Sequence, residues 1–545
     1  MIESTSTSRL ADSLELTAPE TTSVTGRLTR TAWILGSIAL LLVVAFDLGP
    51  PLAFNDDWGM AWDVRHFNPL HISMYPSDSA LALVQVVFAW LVTLGHGDQR
   101  LLRLSEVAFI LLAMYSGHRL ARHLGADPTW SAIAAIAPLA FPVFTADATT
   151  FMTDVPYVGL LSAAVLGGVR WREGRRWIAL CVGFATLATL QRQVGVALPL
   201  AVTASLLLFR REGLAHGDWI GLGLLWAGCV SAILVPALAG FTPPTQGHRL
   251  QAAVAPVPIF ALAAFMFLPG MVGLGLLPFL PGLALTGRKR PARDRSRLFA
   301  FALILVALAV FLANGDIFYG NVFQPQGFSL SVLFPYLKPQ LFPIPMFVAL
   351  EIAAVATVAF MIRRWRWLTP AKVGQPAALL LLAAGLQFLP LTLLHYVPVD
   401  RYYLPVVALL APLAARAASR TSRPLLAGRL SLAIVAAMVV VYCVGEQDYQ
   451  AWQVARDQAA KLAYQQASPY EVNAGYEANA VYGEVAWYDR TGQVLGGLAV
   501  PGARDFSGEG PEHPKLVLEF AGPEDRRAGY AWSSLAPGKI IVQTP

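Results

Sequence analysis

Long apolar runs separated by short polar loops dominate the chain from residue 31 to about 446. Runs near 31–48, 101–119, 129–146, 152–169, 177–190, 194–209, 219–240, 257–285, 298–313, 343–362, 375–394, 402–416 and 430–446 approach the roughly 20 mostly apolar residues that a helix needs to cross a bilayer. The pair on either side of "QRQ" (191–193) reads as a broken or re-entrant passage, which lipid tolerates where the backbone faces a cavity. Beyond 447 the pattern changes. "EQDYQAWQVARDQAAKLAYQQ" has the spacing of an amphipathic helix. "PKLVLEF" and "KIIVQ" read as short strands between Gly and Pro punctuation. The pattern predicts one small exported α/β domain over 447–545.

One apolar run, "ALALVQVVFAWLVTLG" (80–95), is set aside by loop charge. If it does not cross, the inner loops collect Arg119, Arg122, "RWREGRR", Arg210, Arg211, "RKRPARDRSR", "RRWRWLTPAK" and the arginines from Arg416 to Arg429. The outer loops then hold only Arg65, Arg100, Arg103, Arg192, Arg249, Lys338 and Arg401. If it does cross, every later loop changes side and the bias inverts. Cytoplasmic loops are the basic ones, so 80–95 is expected to be an interfacial helix inside a first external loop, 49–100. The expected protein is all-α and polytopic, with about 13 transmembrane helices. Its N-terminus is cytoplasmic behind a disordered polar tail (1–30), and its C-terminus is extracytoplasmic. The membrane domain is 31–446.

Composition supports the pattern. Of 545 residues 56% are hydrophobic and 14% charged, against about 25% charged in a soluble domain. The net charge of +6 follows from the basic inner loops and calls for no nucleic acid. Three cysteines, Cys181, Cys229 and Cys443, match neither a zinc site nor a disulfide framework.

With this topology four polar clusters share the outer side. The first is "NDDWGMAWDVRHF", with Asn55, Asp56, Asp57, Asp63, Arg65 and His66. "FMTDVPY" places Asp154 at the head of a span, and "LQRQVG" places Arg192 between two. "HYVPVDRYYLP" carries His395, Asp400, Arg401, Tyr402 and Tyr403. Ionisable groups at membrane depth are costly, and each needs a partner, water or a function. Local readings stand beside the functional one. Asp56 or Asp57 caps the following helix, Asp154 caps its own span ahead of Pro156, Arg192 pairs with Asp154, and Asp400 pairs with Arg401. Tyr402 and Tyr403 also suit an interfacial aromatic belt. His66, His248 and His395 have no spacing that identifies a metal, so a divalent metal cofactor is left open.

Acids and arginines on one membrane face suit glycosyl transfer from a lipid-linked phosphate sugar. The acceptor hydroxyl loses a proton as it attacks, which calls for a carboxylate base. The leaving phosphate needs a fixed cation, and the planar guanidinium supplies one. The order "NDDWGMAWDVRHF", "FMTDVP", "RQVG", "DRYYLP" resembles the C-type-fold membrane glycosyltransferases. Within them the likeness is to protein O-mannosyltransferase-like and aminoarabinose-transferase-like proteins. That resemblance implies a polyprenyl-phosphate-sugar donor and an acceptor that is lipid, polysaccharide or protein. It also implies inverting transfer at the extracytoplasmic face of a bacterial inner membrane. It implies Asp56 or Asp57 as base and Asp154 as the second catalytic acid. Arg192 and Arg401 would hold the donor phosphate, with His66 and Tyr402 lining the substrate site. A transporter or flippase for a lipid-linked saccharide, and a glycan polymerase or ligase, are the alternatives. The chain lacks the internal repeat common in transporters and the many external arginines expected of a ligase.

Overall fold

A computed structural model describes residues 18–52, 54, 57–69, 82–209, 213–239, 258–285, 322–328, 338–364, 374–393, 400–468, 471–475, 478–491, 514–521 and 523–544. It is mostly helical. Each predicted span coincides with helix in whole or part, except 298–313, which lies outside the described residues. Four helices are long and apolar enough to cross a membrane by themselves: Thr25–Asp47, His216–Leu238, Ile344–Arg363 and Pro424–Gln466. The pair Phe267–Gly275 and Leu277–Ala284, bent by 66°, makes a fifth if it is one span. The predicted span 129–146 is broken into Pro128–Ile136, Pro138–Ala140 and Pro142–Ala148. Each piece starts on a proline, which tolerates a first helical turn but cannot continue the ladder behind it.

Two boundaries differ from expectation. The first helix begins at Ala18, so part of the segment read as a disordered tail is helical. Thr29 Oγ1 there donates to Thr25 O (2.9 Å) and lies 3.1 Å from Thr129 Oγ1. The amphipathic segment after 447 is not separate. It continues the last span as one 43-residue helix, Pro424–Gln466. At 1.5 Å per residue this helix is about 65 Å long, roughly twice a ~30 Å hydrocarbon layer. No proline interrupts it after Pro424, so the apolar span and the polar segment after it share one rod.

The far half of that rod carries a four-stranded sheet. Val472–Asn473 pairs in parallel with Leu516–Ala521, followed by antiparallel Gly538–Gln543 and Tyr530–Trp532. The strands fall where "PKLVLEF" and "KIIVQ" were read. Trp452 of the rod meets Phe520 edge-on at 5.3 Å, and Phe520 meets Trp532 at 5.8 Å. A buried tie adds specificity. Lys338 Nζ pairs with Asp448 Oδ2, and Ser534 Oγ donates to Asp448 Oδ1.

Helix Asp154–Val169 is buried along its whole length between Gln99–His123 and Arg175–Gln191. Gly159 permits that approach, since a Cβ there would lie 2.6 Å from Phe109 O. Alternating helices sort the polar loops to two ends. One end gathers basic loops, where His123 Nδ1 lies 3.6 Å from Glu173 Oε1, Arg170 pairs with Glu173, and Ser419 Oγ lies 3.2 Å from Asp127 N. The other end holds Asp154, Arg192 and Arg401.

Candidate functional site

The break at "QRQ" builds the centre of the site. Helix Arg175–Gln191 stops at Arg192, whose backbone is extended (φ −144°, ψ 129°), and a tight turn, Gln193–Val196, leads into Ala197–Phe209. Gly195 is required there, because a Cβ would lie 2.7 Å from Thr189 N. Leaving the helix turns the Arg192 side chain towards Asp154, and its Nη1 pairs with Asp154 Oδ1. Asp154 is 1% exposed, so the pair is sheltered on the acid's side.

Residues 400–403 arrive from elsewhere in the chain. The Asp400 carboxylate accepts three backbone N–H groups, those of Val322, Phe323 and Arg401, each at 2.9 Å. It therefore organises the turn and ties it to the hairpin Phe323–Gln324/Gly327–Phe328. Held in this way, Arg401 lies 5.8 Å from the Tyr402 ring centroid, with Arg192 at 5.5 Å from the same ring. Tyr403 is fully buried against Phe388 (6.3 Å), which does not suit an aromatic belt.

Asp147 joins them, a residue that no motif in the sequence marks. It is 1% exposed, and its electrostatic neighbours are Asp154, Arg401, Asp400 and Arg192. Its Oδ2 has no hydrogen-bond partner among the described residues. The only sequence signal was an acid seven residues before Asp154. Three carboxylates, two guanidiniums and a phenol ring thus meet at one end of the bundle.

The short apolar helix Leu83–Thr93 fixes the near wall. Its 11 residues span about 16 Å, too short to cross. It is locked to the break by a pair of glutamines. Gln191 Nε2 donates to Gln85 Oε1 (2.9 Å), and Gln85 N donates to Gln191 Oε1 (3.0 Å). Gln85 Nε2 also donates to the buried Glu106 (2.7 Å). Glu106 has Asp47, Asp147 and Asp154 as electrostatic neighbours.

Asp57 opens helix Asp57–His66 and is fully buried. Its Oδ1 accepts from Phe54 N at 2.8 Å, the backward bond by which an acid in a first turn ties down the entering chain. Met60 and Val64 of the same helix pack in one cluster with Val86, Leu102, Phe151 and Met152. The helix that starts at Asp57 therefore rests on the segment that leads into Asp154. Asp56 and Asn55 lie outside the described residues, as do His248, Arg249 and His395. His66 ends the helix that Asp57 opens. It is exposed, stacks on Trp62 at 4.1 Å, and has Nδ1 2.9 Å from Trp62 O. Trp62 in turn donates to Asp489 Oδ1 (2.6 Å), so this corner faces the C-terminal region. Among the described residues no three His, Cys, Asp or Glu side chains are grouped as a metal site requires.

Two crystal structures of ArnT from Cupriavidus metallidurans align with this chain over 94% of its length and 98% of theirs. The one bound to undecaprenyl phosphate is 16% identical with a TM-score of 0.40, and the apo form is 17% identical with a TM-score of 0.41. No family model and no curated protein matches the chain.

Proposed function

We propose that this protein is a membrane glycosyltransferase. It takes a sugar from a polyprenyl-phosphate donor and places it on an acceptor at the extracytoplasmic face. One observation carries the reading. Arg192 and Arg401 converge about Tyr402 with Asp147 and Asp154, beside the helix that begins at Asp57. A carboxylate base, two permanently charged forks and a neighbouring lipid phase are the parts that such a displacement needs.

In the reaction a carboxylate of the Asp56–Asp57 pair takes the acceptor hydroxyl proton as its oxygen attacks the anomeric carbon. The bond from that carbon to the phosphate oxygen breaks, and the phosphate leaves with the electron pair. Attack opposite the leaving group inverts the centre, the logic of displacements in which a base activates the incoming oxygen. Arg192 and Arg401 hold the charge that collects on the phosphate, where fixed donors in a water-poor site act most strongly. Asp154 orients Arg192 and keeps that guanidinium compensated when no phosphate is bound. The polyprenyl tail lies in lipid against the apolar helices.

The test uses purified protein in lipid, a panel of radiolabelled polyprenyl-phosphate sugars, and membrane-extract acceptors. Transfer of label to an acceptor supports the reading. No transfer from any donor, with or without divalent metal, together with movement of labelled lipid between leaflets, would instead make the protein a transporter and the acids its gate.

A further inference from the structure

Arg103 is fully buried one turn into helix Gln99–His123. A buried guanidinium persists where ion pairing and hydrogen bonds offset its desolvation. Its contacts converge on the stretch that leads to the acid pair. Arg103 Nη2 donates to Pro50 O at 2.6 Å, and its guanidinium carbon lies 4.6 Å from the Phe54 ring centroid. Its Nε reaches back to Gln99 O at 3.2 Å, which fixes the fork's direction. One turn earlier, Arg100 Nε donates to Gly49 O at 2.7 Å. Phe54 in turn gives its N–H to Asp57. Residues 49, 50 and 54 are thus held from one helix, and Asp57 is held from 54.

The charges around Arg103 come from three elements. Asp57 is the foremost, followed by Asp47 at the end of the first helix, then Glu446 and Tyr449 of the long rod. Tyr449 also packs on Phe54 at 5.3 Å. Both Asp47 oxygens and Glu446 Oε2 lack a hydrogen-bond partner among the described residues. One guanidinium therefore lies near three buried acids and holds the backbone of the entering loop.

Building on the transferase reading, on which it rests, we infer that Arg103 is the positioning residue for Asp57. It holds Pro50 and Phe54 ahead of Asp57 and places a positive charge near Asp57, Asp47 and Glu446. Arg103 touches no reactant in this scheme and acts through Asp57.

The pH dependence of kcat/KM separates this from simple support of the fold. Arg103→Met removes the charge, so the acidic limb is expected to move up by about 1 pH unit or more, with kcat about 100-fold lower. Arg103→Lys keeps the charge without the fork, so the limb stays in place and part of kcat returns. A limb that stays put in Arg103→Met overturns the inference. So does loss of transfer in Asp56→Asn with full activity in Asp57→Asn, which leaves the transferase reading intact. Amide exchange over residues 46–66 needs no activity. Arg103→Met, or Phe54→Leu should the first variant not fold, is expected to speed exchange of 49–57 about 10-fold, with the other helices unchanged. Unchanged exchange in both variants overturns the inference even if the wild type transfers nothing, an outcome that separately refutes the transferase reading.

Discussion

Asp57 joins a local duty to the proposed chemical one. Its Oδ1 holds the Phe54 N–H. Asp57→Asn keeps an oxygen acceptor for that bond while losing the charge, whereas Asp57→Ala loses both. The alanine variant is therefore expected to be less stable than the asparagine variant by about 1 kcal/mol in thermal unfolding. The Asp154–Arg192 pair is a second residue-scale unit. Arg192→Gln, and likewise Arg401→Gln, should lower kcat/KM for the donor about 10- to 100-fold, the worth of a charged hydrogen bond to phosphate. Asp154 and Arg192 touch, so their effects will not add. In a double-mutant cycle Asp154→Asn with Arg192→Gln should cost less than the sum of the two single changes. These residues were legible in the sequence because the polar motifs "NDDWGMAWDVRHF", "FMTDVP", "RQVG" and "DRYYLP" between apolar runs carry them. Asp147, Glu106 and Gln85 were not. Their meaning lies in contacts across the fold, as in the bond from Gln85 to Gln191 over 106 positions.

At the scale of elements, the break at Arg192 decides where the arginine goes. Gly195 makes the tight return possible, so Gly195→Ala should destabilise by about 1–3 kcal/mol through overpacking against the end of helix Arg175–Gln191. Gly183 of the same helix faces open space, with nothing within 4 Å of where a Cβ would sit, and Gly183→Ala should be neutral or slightly stabilising. Melting of both variants in detergent checks the contrast. Loop charge, rather than hydropathy, set 80–95 apart as an element expected to stay on one side, and the structure has the short helix Leu83–Thr93 there. Hydropathy alone misread two other places. The run 129–146 is broken at Pro138 and Pro142, and the polar residues after 447 disguise an unbroken helix. In the second case the environment changes along the rod while its backbone does not. Periodicity reports the environment.

The whole molecule is organised by that rod, which joins the helical bundle to the sheet. The Lys338–Asp448 pair, with side chains 0% and 1% exposed, ties both to an intervening loop. Removing one partner strands a buried charge, so Asp448→Asn should cost about 3–5 kcal/mol. Faster proteolysis of the C-terminal region in Asp448→Asn, with partial recovery in Lys338→Met/Asp448→Leu, would bear this out; equal rates would show the tie to be dispensable.

The most direct test of the central claim is sugar transfer by the wild type, Asp56→Asn and Asp57→Asn in lipid, at matched folding and expression. The account predicts transfer by the wild type, with loss of about 100-fold or more in one asparagine variant, the contribution of a general base. Wild-type activity in both variants would contradict it, because no carboxylate of the first loop would then be taking the acceptor's proton.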